Sequence, residues 1–254
     1  MTNVEQDGRV ALITGASRGI GAAVARLLAS RGMQVVINYR SSRGEADDLT
    51  ASIRSAGGRA MAAQADVLDE SAVRGMVEQV RTDMGEVEVL VHNALIPYAV
   101  KPFDEISWDE LGGKLDQEIR AAFVVTKAVV PGMTTDGYGR IVYMGTGLSR
   151  QPRAGMIALG TSKAALDSFA RYVAEEVGPR GITVNVVAPG PVAGTTIDKS
   201  VLDQQQSQRQ AEQTALGRLA SPDDVARAVA FYAGDDSEFI TGTTAPVNGG
   251  MAMD

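Results

Sequence analysis

Four side chains that can give, take or orient a proton lie in separate stretches of the chain. They are Tyr98, Glu118 in "DQEIRAAF", Thr146 in "YMGTG" and Lys163 in "TSKAAL". A phenol, a carboxyl, a hydroxyl and an ammonium can together perform general acid–base chemistry if a fold brings them to one place. Leu159 lies one helical turn before Lys163 and has no proton to give. The proton must therefore come from another of these groups or from water.

Glu118 allows two interpretations. On a buried helix beside a bound cofactor, desolvation would keep its carboxyl protonated at neutral pH, and the group could act as an acid or a base. On a solvent-facing helix it would be an ordinary ionised glutamate. The sequence leaves both interpretations open.

Three aromatic or imidazole groups are alternative proton donors. Tyr98 follows the fourth expected strand, at the edge where ligands bind in parallel sheets. Tyr143 lies on the fifth expected strand, and His92 is the only histidine. Each of them would serve equally well as a packed ring or a hydrogen-bonded core imidazole. Tyr98 is the strongest of the three because of its position at that edge.

A glycine-rich turn, "TGASRGIG" (14–21), follows the first expected strand and opens the first expected helix. Gly15, Gly19 and Gly21 permit a tight turn and a close approach of the backbone to a pyrophosphate. The free N–H groups and the dipole at the start of the helix favour an anion. The place of this turn at the first strand–helix junction predicts a dinucleotide site.

The end of the second expected strand indicates which dinucleotide would bind. An NAD site usually has an acid there, which bonds the ribose hydroxyls. Here the residues are "NYRSS" (38–42), with Tyr39 in place of the acid, and Arg18 and Arg40 could face a 2′-phosphate. The alternative is a pair of solvent-exposed arginines. We predict NADP(H) as the cofactor.

Short apolar runs that are typical of strands alternate with helical stretches along the chain. Strands are expected at 9–15, 34–40, 59–67, 87–94, 139–145, 181–190 and 244–250. Helices are expected at 19–32, 43–56, 70–83, 108–130, 157–177 and 221–233, with 108–130 stopping near Pro131. Strands separated by such helices pair in parallel through right-handed crossovers. The pattern predicts a single α/β domain over 1–254, a Rossmann-type doubly wound parallel sheet of about seven strands with helices on both faces.

Residues 191–215, which include "DQQQSQRQ", are the least patterned part of the chain. Their polarity suits a mobile helix or loop over the substrate side of a cleft. It suits an ordinary surface helix equally well.

Composition and charge argue against several classes of protein. The chain has 254 residues, 44% of them hydrophobic, which is enough for one large core. A net charge of −7 argues against nucleic-acid binding. With no cysteine and one histidine, neither disulfides nor a metal site are expected, and "GDDSE" (234–238) is better explained as a solvated acidic turn than as a cation site.

The sequence predicts a cytoplasmic protein that does not enter a membrane. The N-terminal residues "MTNVEQDGRV" lack the basic start and apolar core of a signal peptide. No apolar run approaches the ~18 residues that a membrane helix needs.

These motifs resemble those of the short-chain dehydrogenase/reductase family, most closely its 3-oxoacyl-carrier-protein reductase branch, over nearly the whole chain. "TGASRGIG" is similar to the cofactor loop, "ADV" (65–67) to the adenine-contacting segment, and "HNAL" (92–95) to the Asn-Asn-Ala-Gly segment. "TSKAAL" (161–166), "GITVNVVAPGPV" (181–192) and "VNGGMAM" (247–253) resemble the lysine helix, the sixth strand and the C-terminal strand. With the glycine turn, the resemblance implies these cofactor-binding residues: Gly15, Ser17, Arg18, Gly19, Ile20, Gly21, Arg40, Asp66, Val67, Asn93, Ala94, Lys163, Pro189, Gly190 and Val192.

In that family, a tyrosine transfers the proton and a lysine holds the nicotinamide ribose. A serine polarises the carbonyl, and an asparagine on the preceding long helix holds a water. Here Lys163 matches the lysine, and Thr146 takes the serine position, with Ser149 as a less well-spaced substitute. Leu159 occupies the tyrosine position and Glu118 the asparagine position.

The resemblance implies NADP(H)-dependent reduction of a ketone, such as a β-ketoacyl or polyketide thioester, in which Thr146, Lys163, Glu118 and Tyr98 are the catalytic candidates. The alternative is a redox-silent relative that completes a hetero-oligomer or catalyses a non-redox step. A third hypothesis is a sensor that binds the cofactor. Leu95, at the last glycine of "HNAL", would point towards space needed by the cofactor ribose. A homo-oligomer, dimer or tetramer, through the helices at 108–130 and 160–177 is implied, and a mixed assembly stays open.

Overall fold

A computed structural model describes residues 8–194 and 204–253. Within these ranges, seven strands form one parallel sheet in the order β3-β2-β1-β4-β5-β6-β7. The strands are β1 Val10–Ile13, β2 Gln34–Tyr39, β3 Arg59–Gln64, β4 Val87–His92, β5 Gly139–Met144, β6 Ile182–Pro189 and β7 Thr244–Val247. This order confirms the Rossmann-type doubly wound sheet.

The helices cover both faces of the sheet. They are α1 Gly19–Ser30, α2 Arg43–Ser55, α3 Glu70–Asp83, α4 Trp108–Asp136, α5 Ile157–Val177, α6 Gln204–Glu212 and α7 Pro222–Tyr232. Apolar residues of α1, α2 and α7 pack in one core cluster, and those of α3, α4 and α5 pack in the other. No helix in the described part of the chain is long and apolar enough to cross a membrane.

The strands are buried on both sides because each face carries helices. Every residue of β1, β2, β5 and β6 is buried. Successive side chains of a strand point to opposite faces, so Leu12 belongs to the cluster under α3–α5 while Ala11 and Ile13 belong to the other. Near-continuous apolar strands are typical of parallel sheets covered in this way.

The long helix α4 does not stop near Pro131, so that prediction was wrong. The helix continues through the proline to Asp136 and ends at Gly137, whose φ of 65° is left-handed. A proline removes one helical hydrogen bond. Here Val129 and Met133, on either side of it, are buried in the core, and their packing holds the helix across the gap.

The start of α4 is fixed by a capping box. The Ser107 hydroxyl accepts a hydrogen bond from the Glu110 N–H, and the Glu110 carboxylate accepts one from the Ser107 N–H. This cap sets the helical register that follows. Lys114 and Glu118, one turn apart, consequently lie on the inner face of α4, where both are buried.

The segment 191–215 is described only in part. Val192 forms a bridge with Ala220, and Gln204–Glu212 is helical. Residues 195–203, which include much of the expected cleft cover, lie outside the described residues.

Candidate active site

The strand order reverses between β1 and β4, and the turns after these two strands are tied together. Thr14 Oγ1 accepts hydrogen bonds from the N–H groups of Asn93 and Ala94 at 2.9 and 3.0 Å. The Asn93 amide donates to the carbonyls of Thr14 and Gly15 at 3.0 and 3.1 Å. Ligands of doubly wound sheets bind at this reversal, outside the carboxyl ends of the strands.

The two turns approach so closely that side chains are excluded. A Cβ on Gly15 would lie 2.8 Å from the Ala94 Cα, and one on Gly21 would lie 2.6 Å from the Asn93 Nδ2. Glycine is therefore required at both positions for the observed contact between the turns. The predicted tight turn is therefore present, and its two glycines pack against the loop after β4.

The N-terminus of α1 is open. Gly19 begins the helix, and no described atom beyond its chain neighbours and the backbone of its own helix lies within 4 Å of the position that a Cβ would take there. Arg18 is exposed, Ser17 and Ile20 are half-buried, and the first turn carries no acid. The free N–H groups and the helix dipole at this end favour an anionic ligand.

Asn38, on β2, is a site residue that the sequence reasoning missed. Its Oδ1 accepts a hydrogen bond from the Gly15 N–H at 3.2 Å, and its Nδ2 donates to the carbonyls of Ala63 and Ala65 at 3.3 and 3.1 Å. The residue thus joins the ends of three strands beneath the glycine turn. A polar residue within the apolar run "QVVINYR" was the available signal.

The end of β2 presents a cation and no acid. Tyr39 is buried, so its side chain fills the core, whereas Arg40 is exposed. The Arg40 Nη1 lies 3.9 Å from the Asp66 Oδ2, and Asp66 also accepts a hydrogen bond from the Leu68 N–H. An exposed ion pair of this length is weak, so Arg40 is free to turn towards a phosphate.

The turn after β6 packs against the end of β7. The Gly190 N–H donates to the Val247 carbonyl at 3.1 Å, and a Cβ on Gly190 would lie 3.1 Å from the Asn248 Cβ. Pro189 ends β6, and Val192 is buried, as is Val67 after β3. These predicted cofactor residues lie at the same edge of the sheet as the glycine turn.

A row of three charges crosses the interior between α4 and α5. The Glu118 Oε2 accepts a hydrogen bond from the Lys114 ammonium at 2.5 Å, and the Glu118 Oε1 accepts one from the Lys163 ammonium at 2.7 Å. Lys114 also donates to the Ile96 carbonyl at 2.8 Å, and Lys163 donates to the Met144 carbonyl at 2.6 Å. We call Lys114, Glu118 and Lys163 the charged row. Its three side chains are 8% exposed or less.

Glu118 is buried and ionised. Burial alone would raise the pKa of its carboxyl, but the charges and hydrogen bonds of Lys163 and Lys114 outweigh that effect and hold the pKa at about 2. Glu118 is not an exposed residue of a surface helix, so that interpretation was wrong. The interpretation as a carboxyl kept protonated by burial was also wrong, because the two lysines keep it ionised. Burial also lowers the pKa of Lys114, against the attraction of Glu118.

The alternative donors have different surroundings. Tyr98 is half-buried, with its ring centroid 5.6 Å from the Lys114 ammonium, and burial raises the pKa of its hydroxyl. Tyr143 is fully buried and shares a 2.6 Å hydrogen bond with the Thr126 hydroxyl, and burial raises its pKa as well. Only Tyr98 therefore lies next to the charged row with part of its surface open to solvent.

His92 is neutral and part of the core. Burial lowers its pKa to about 4. Its Nδ1 lies 3.3 Å from the Thr14 Oγ1, which already accepts two N–H groups, so the Thr14 hydroxyl proton is directed at that nitrogen. The Nε2 has no hydrogen-bond partner among the described residues.

Thr146 begins a short 3₁₀ turn after β5. Its hydroxyl oxygen accepts a long hydrogen bond, 3.4 Å, from the Leu148 N–H. The Ser149 hydroxyl is not available to polarise a substrate carbonyl, because it donates to the Asp167 carboxylate at 2.8 Å. Asp167, one turn after Lys163 on α5, has a raised pKa because of burial. Thr146 is therefore the hydroxyl left to act at the end of β5.

Two leucines stand where the resemblance implies other residues. Leu159 is 5% exposed and lies one turn before Lys163 on α5, so it adds an apolar wall to the interior. Leu95 is 49% exposed at the loop after β4.

Comparison with known proteins identifies the family. The family profile described as Enoyl-(Acyl carrier protein) reductase matches residues 15–252. The 3-oxoacyl-(acyl-carrier-protein) reductase FabG of Escherichia coli is 36% identical over 250 residues, which are 97% of this chain and 98% of that protein. The chain belongs to the short-chain dehydrogenase/reductase family.

Solved structures share the fold over nearly the whole chain. A dehydrogenase/reductase from Sinorhizobium meliloti is 33% identical, with a TM-score of 0.91, over 99% of this chain and 98% of its own. A blue fluorescent protein from a metagenomic library, in complex with NADPH, is 38% identical, with a TM-score of 0.88, over 98% of this chain and 100% of its own.

Proposed function

We propose that this protein is an NADP(H)-dependent reductase of a ketone in an acyl thioester, of the β-ketoacyl or polyketide kind. The observation that carries the proposal is the placement of Lys163, whose ammonium is fixed between the Glu118 carboxylate and the Met144 carbonyl at the end of β5. The Escherichia coli relative bears the name of a 3-oxoacyl reductase, and the metagenomic neighbour is bound to NADPH. Both support this assignment.

The residues around the glycine turn fit NADP(H). A Cβ on Gly15 or Gly21 would collide with the loop after β4, whereas the space beside Gly19, at the start of α1, is open. The first turn of α1 lacks acids, and the exposed Arg18 and Arg40 suit the 2′-phosphate. The bound cofactor would supply the hydride.

Lys163 and Thr146 each keep a donor for ligand atoms. An ammonium has three N–H bonds, and two of those of Lys163 have described acceptors, so one is left for a ribose hydroxyl. The Thr146 hydroxyl only accepts in its contact with Leu148, so its proton is available to a substrate carbonyl. Such donors stabilise the charge that develops on oxygen as hydride arrives. Leu159 adds an apolar wall to this space and gives no proton.

The proton itself comes from Tyr98 or from water. Glu118 is ionised at neutral pH and cannot serve as the acid. A phenol is protonated at neutral pH, burial raises the pKa of Tyr98 further, and the ring lies beside the charged row. Glu118 instead holds Lys163 in place.

Consumption of NADPH in the presence of β-ketoacyl thioesters tests this function. We expect slow but measurable turnover, because general acid catalysis contributes ~10²–10⁴-fold and the usual donor is missing. A related reductase assayed in parallel is the positive control. No turnover across a broad panel of ketones, under conditions where that control works, would reject the proposal.

A redox-silent role is the second candidate. It is favoured by Leu159 and Glu118 together, because neither residue offers a proton at neutral pH. In this role the chain would complete a hetero-oligomer with an active reductase or catalyse a non-redox step. Normal ketone reduction by the purified chain alone would eliminate this candidate.

We further propose a cytoplasmic homodimer or homotetramer that assembles through α4 and α5. Both helices present exposed aromatic side chains, Phe123 at 46% and Tyr172 at 72% exposure. Light scattering of the purified chain measures the assembly, and a monomer at micromolar concentration would contradict it.

A further inference from the structure

The charged row contains a member for which the family resemblance gives no role. Lys114 is 3% exposed, and its ammonium reaches the Glu118 carboxylate and the Ile96 carbonyl. A lysine is rarely buried unless it is paired. Glu118 is already paired with Lys163, so a second buried lysine is not needed to neutralise that carboxylate.

The row therefore carries a surplus of one positive charge. Two ammonium groups share a single carboxylate. The nearest other acid on α5, Asp167, hydrogen-bonds the Ser149 hydroxyl and acts on Lys163 only through a weaker charge interaction without a hydrogen bond. His92, which borders the row, is neutral at pH 7 because its pKa is about 4. A buried charge that is only partly compensated is costly, and a ligand that brings negative charge would reduce that cost.

Because two lysines share the Glu118 carboxylate, Lys163 donates a hydrogen bond to only one of its oxygens. Each carboxylate oxygen is taken by a different ammonium, Oε2 by Lys114 and Oε1 by Lys163. Without Lys114, both oxygens could turn to Lys163, and the pair would be neutral. Lys114 also anchors the loop after β4 through the Ile96 carbonyl. It thus connects that loop to the lysine on α5.

We propose that Lys114 is a positioning residue of the active site, which divides the Glu118 carboxylate so that Lys163 keeps an N–H for the cofactor and the row keeps a net positive charge. This inference rests on the proposed binding of NADP(H) at this edge of the sheet. The surplus charge favours the cofactor phosphates and the oxyanion of the substrate. The surplus charge thereby stabilises some of the negative charge that a proton donor at position 159 would otherwise neutralise.

A charge-rescue experiment on NADPH binding tests the proposal. Lys114→Met makes the row neutral, and we expect the Kd for NADPH, measured by fluorescence titration, to rise about tenfold. Lys114→Met combined with Glu118→Gln leaves Lys163 alone with its single positive charge, and we expect the Kd to return to within about threefold of the unsubstituted protein. A merely structural role for Lys114 would make the double variant no better than the single one.

Lys127→Met is the matched control, because Lys127 lies on the same helix and is exposed. It should leave the Kd unchanged. Thermal unfolding of each variant identifies loss of fold. An unchanged Kd in Lys114→Met, or no recovery in the folded double variant, would overturn the inference and leave the proposed function standing. Failure of the unsubstituted protein to bind NADPH would overturn the proposed function and this inference with it.

Discussion

The Glu118 Oε1 and the Lys163 Nζ lie 2.7 Å apart in the interior, although the two residues are 45 positions apart in the chain. The contact joins α4 to α5 at the end of β5. It keeps Glu118 ionised, which removes this residue from the possible proton donors. It also ties the geometry of Lys163 to the register of α4, which the Ser107 cap sets.

The ionised state of Glu118 predicts a pH dependence of stability. Its folded pKa of about 2 lies below the ordinary value of 4.5, so its contribution is present above about pH 5 and is lost as pH falls towards 2. We expect Glu118→Gln to lower the free energy of unfolding at pH 7 by about 3 kcal/mol. The difference from the unsubstituted protein should shrink as the pH approaches 2, since the wild-type carboxyl is then protonated.

Urea unfolding at pH 7 and at pH 3 measures this difference. Glu70→Gln is a suitable control, because Glu70 is exposed and forms an ion pair with Arg74 on the same helix; surface pairs of this kind contribute about 0.3–0.5 kcal/mol. Equal destabilisation of Glu118→Gln at both pH values would contradict the ionised, paired state.

The hydroxyl of Thr146 is expected to lower the barrier to hydride transfer. Thr146→Val keeps the volume but removes the O–H, and we expect kcat to fall about 10²-fold. Thr146→Ser keeps the hydroxyl and should retain most of the activity. If valine and serine variants react at equal rates, Thr146 does not polarise the carbonyl. Unfolding curves must accompany the rates, because the same oxygen caps the turn at Leu148.

Arg40 should determine the preference for NADPH over NADH. Its side chain is 63% exposed, and among the described residues its guanidinium has one ion-pair contact, 3.9 Å to Asp66, so it can reach a 2′-phosphate. We expect Arg40→Ala to weaken NADPH binding about tenfold and to leave NADH binding nearly unchanged. Arg43→Ala, which removes an exposed arginine paired with Asp47 on α2, is the control. An equal loss of affinity for NADPH and NADH would show that Arg40 does not bind the 2′-phosphate.

The sequence predicted the seven parallel strands and the glycine turn because both depend on local patterns. Apolar runs define strands, and only glycine fits where the turn after β1 meets Ala94. Lys114 was missed because a lysine one turn from a glutamate usually marks an exposed helix face. Only the packing of α4 against α5 shows that this face points inward. The predicted end of α4 near Pro131 was wrong for a similar reason. Buried residues on either side of the proline keep the helix continuous, and their burial is not visible in the sequence.

Restoring the phenol at position 159 is the most direct test of the reductase assignment. Leu159 is 5% exposed and lies on α5 one turn before Lys163, so Leu159→Tyr places a hydroxyl on the face of the helix that carries the ammonium. A phenol beside an ammonium ionises more readily and transfers its proton faster. We expect ketone reduction with NADPH to rise at least about tenfold. Leu159→Phe adds the same ring without the hydroxyl and should not raise the rate. An equal gain from phenylalanine would assign the effect to packing, and no gain from tyrosine would mean that more than the proton donor is missing from this site.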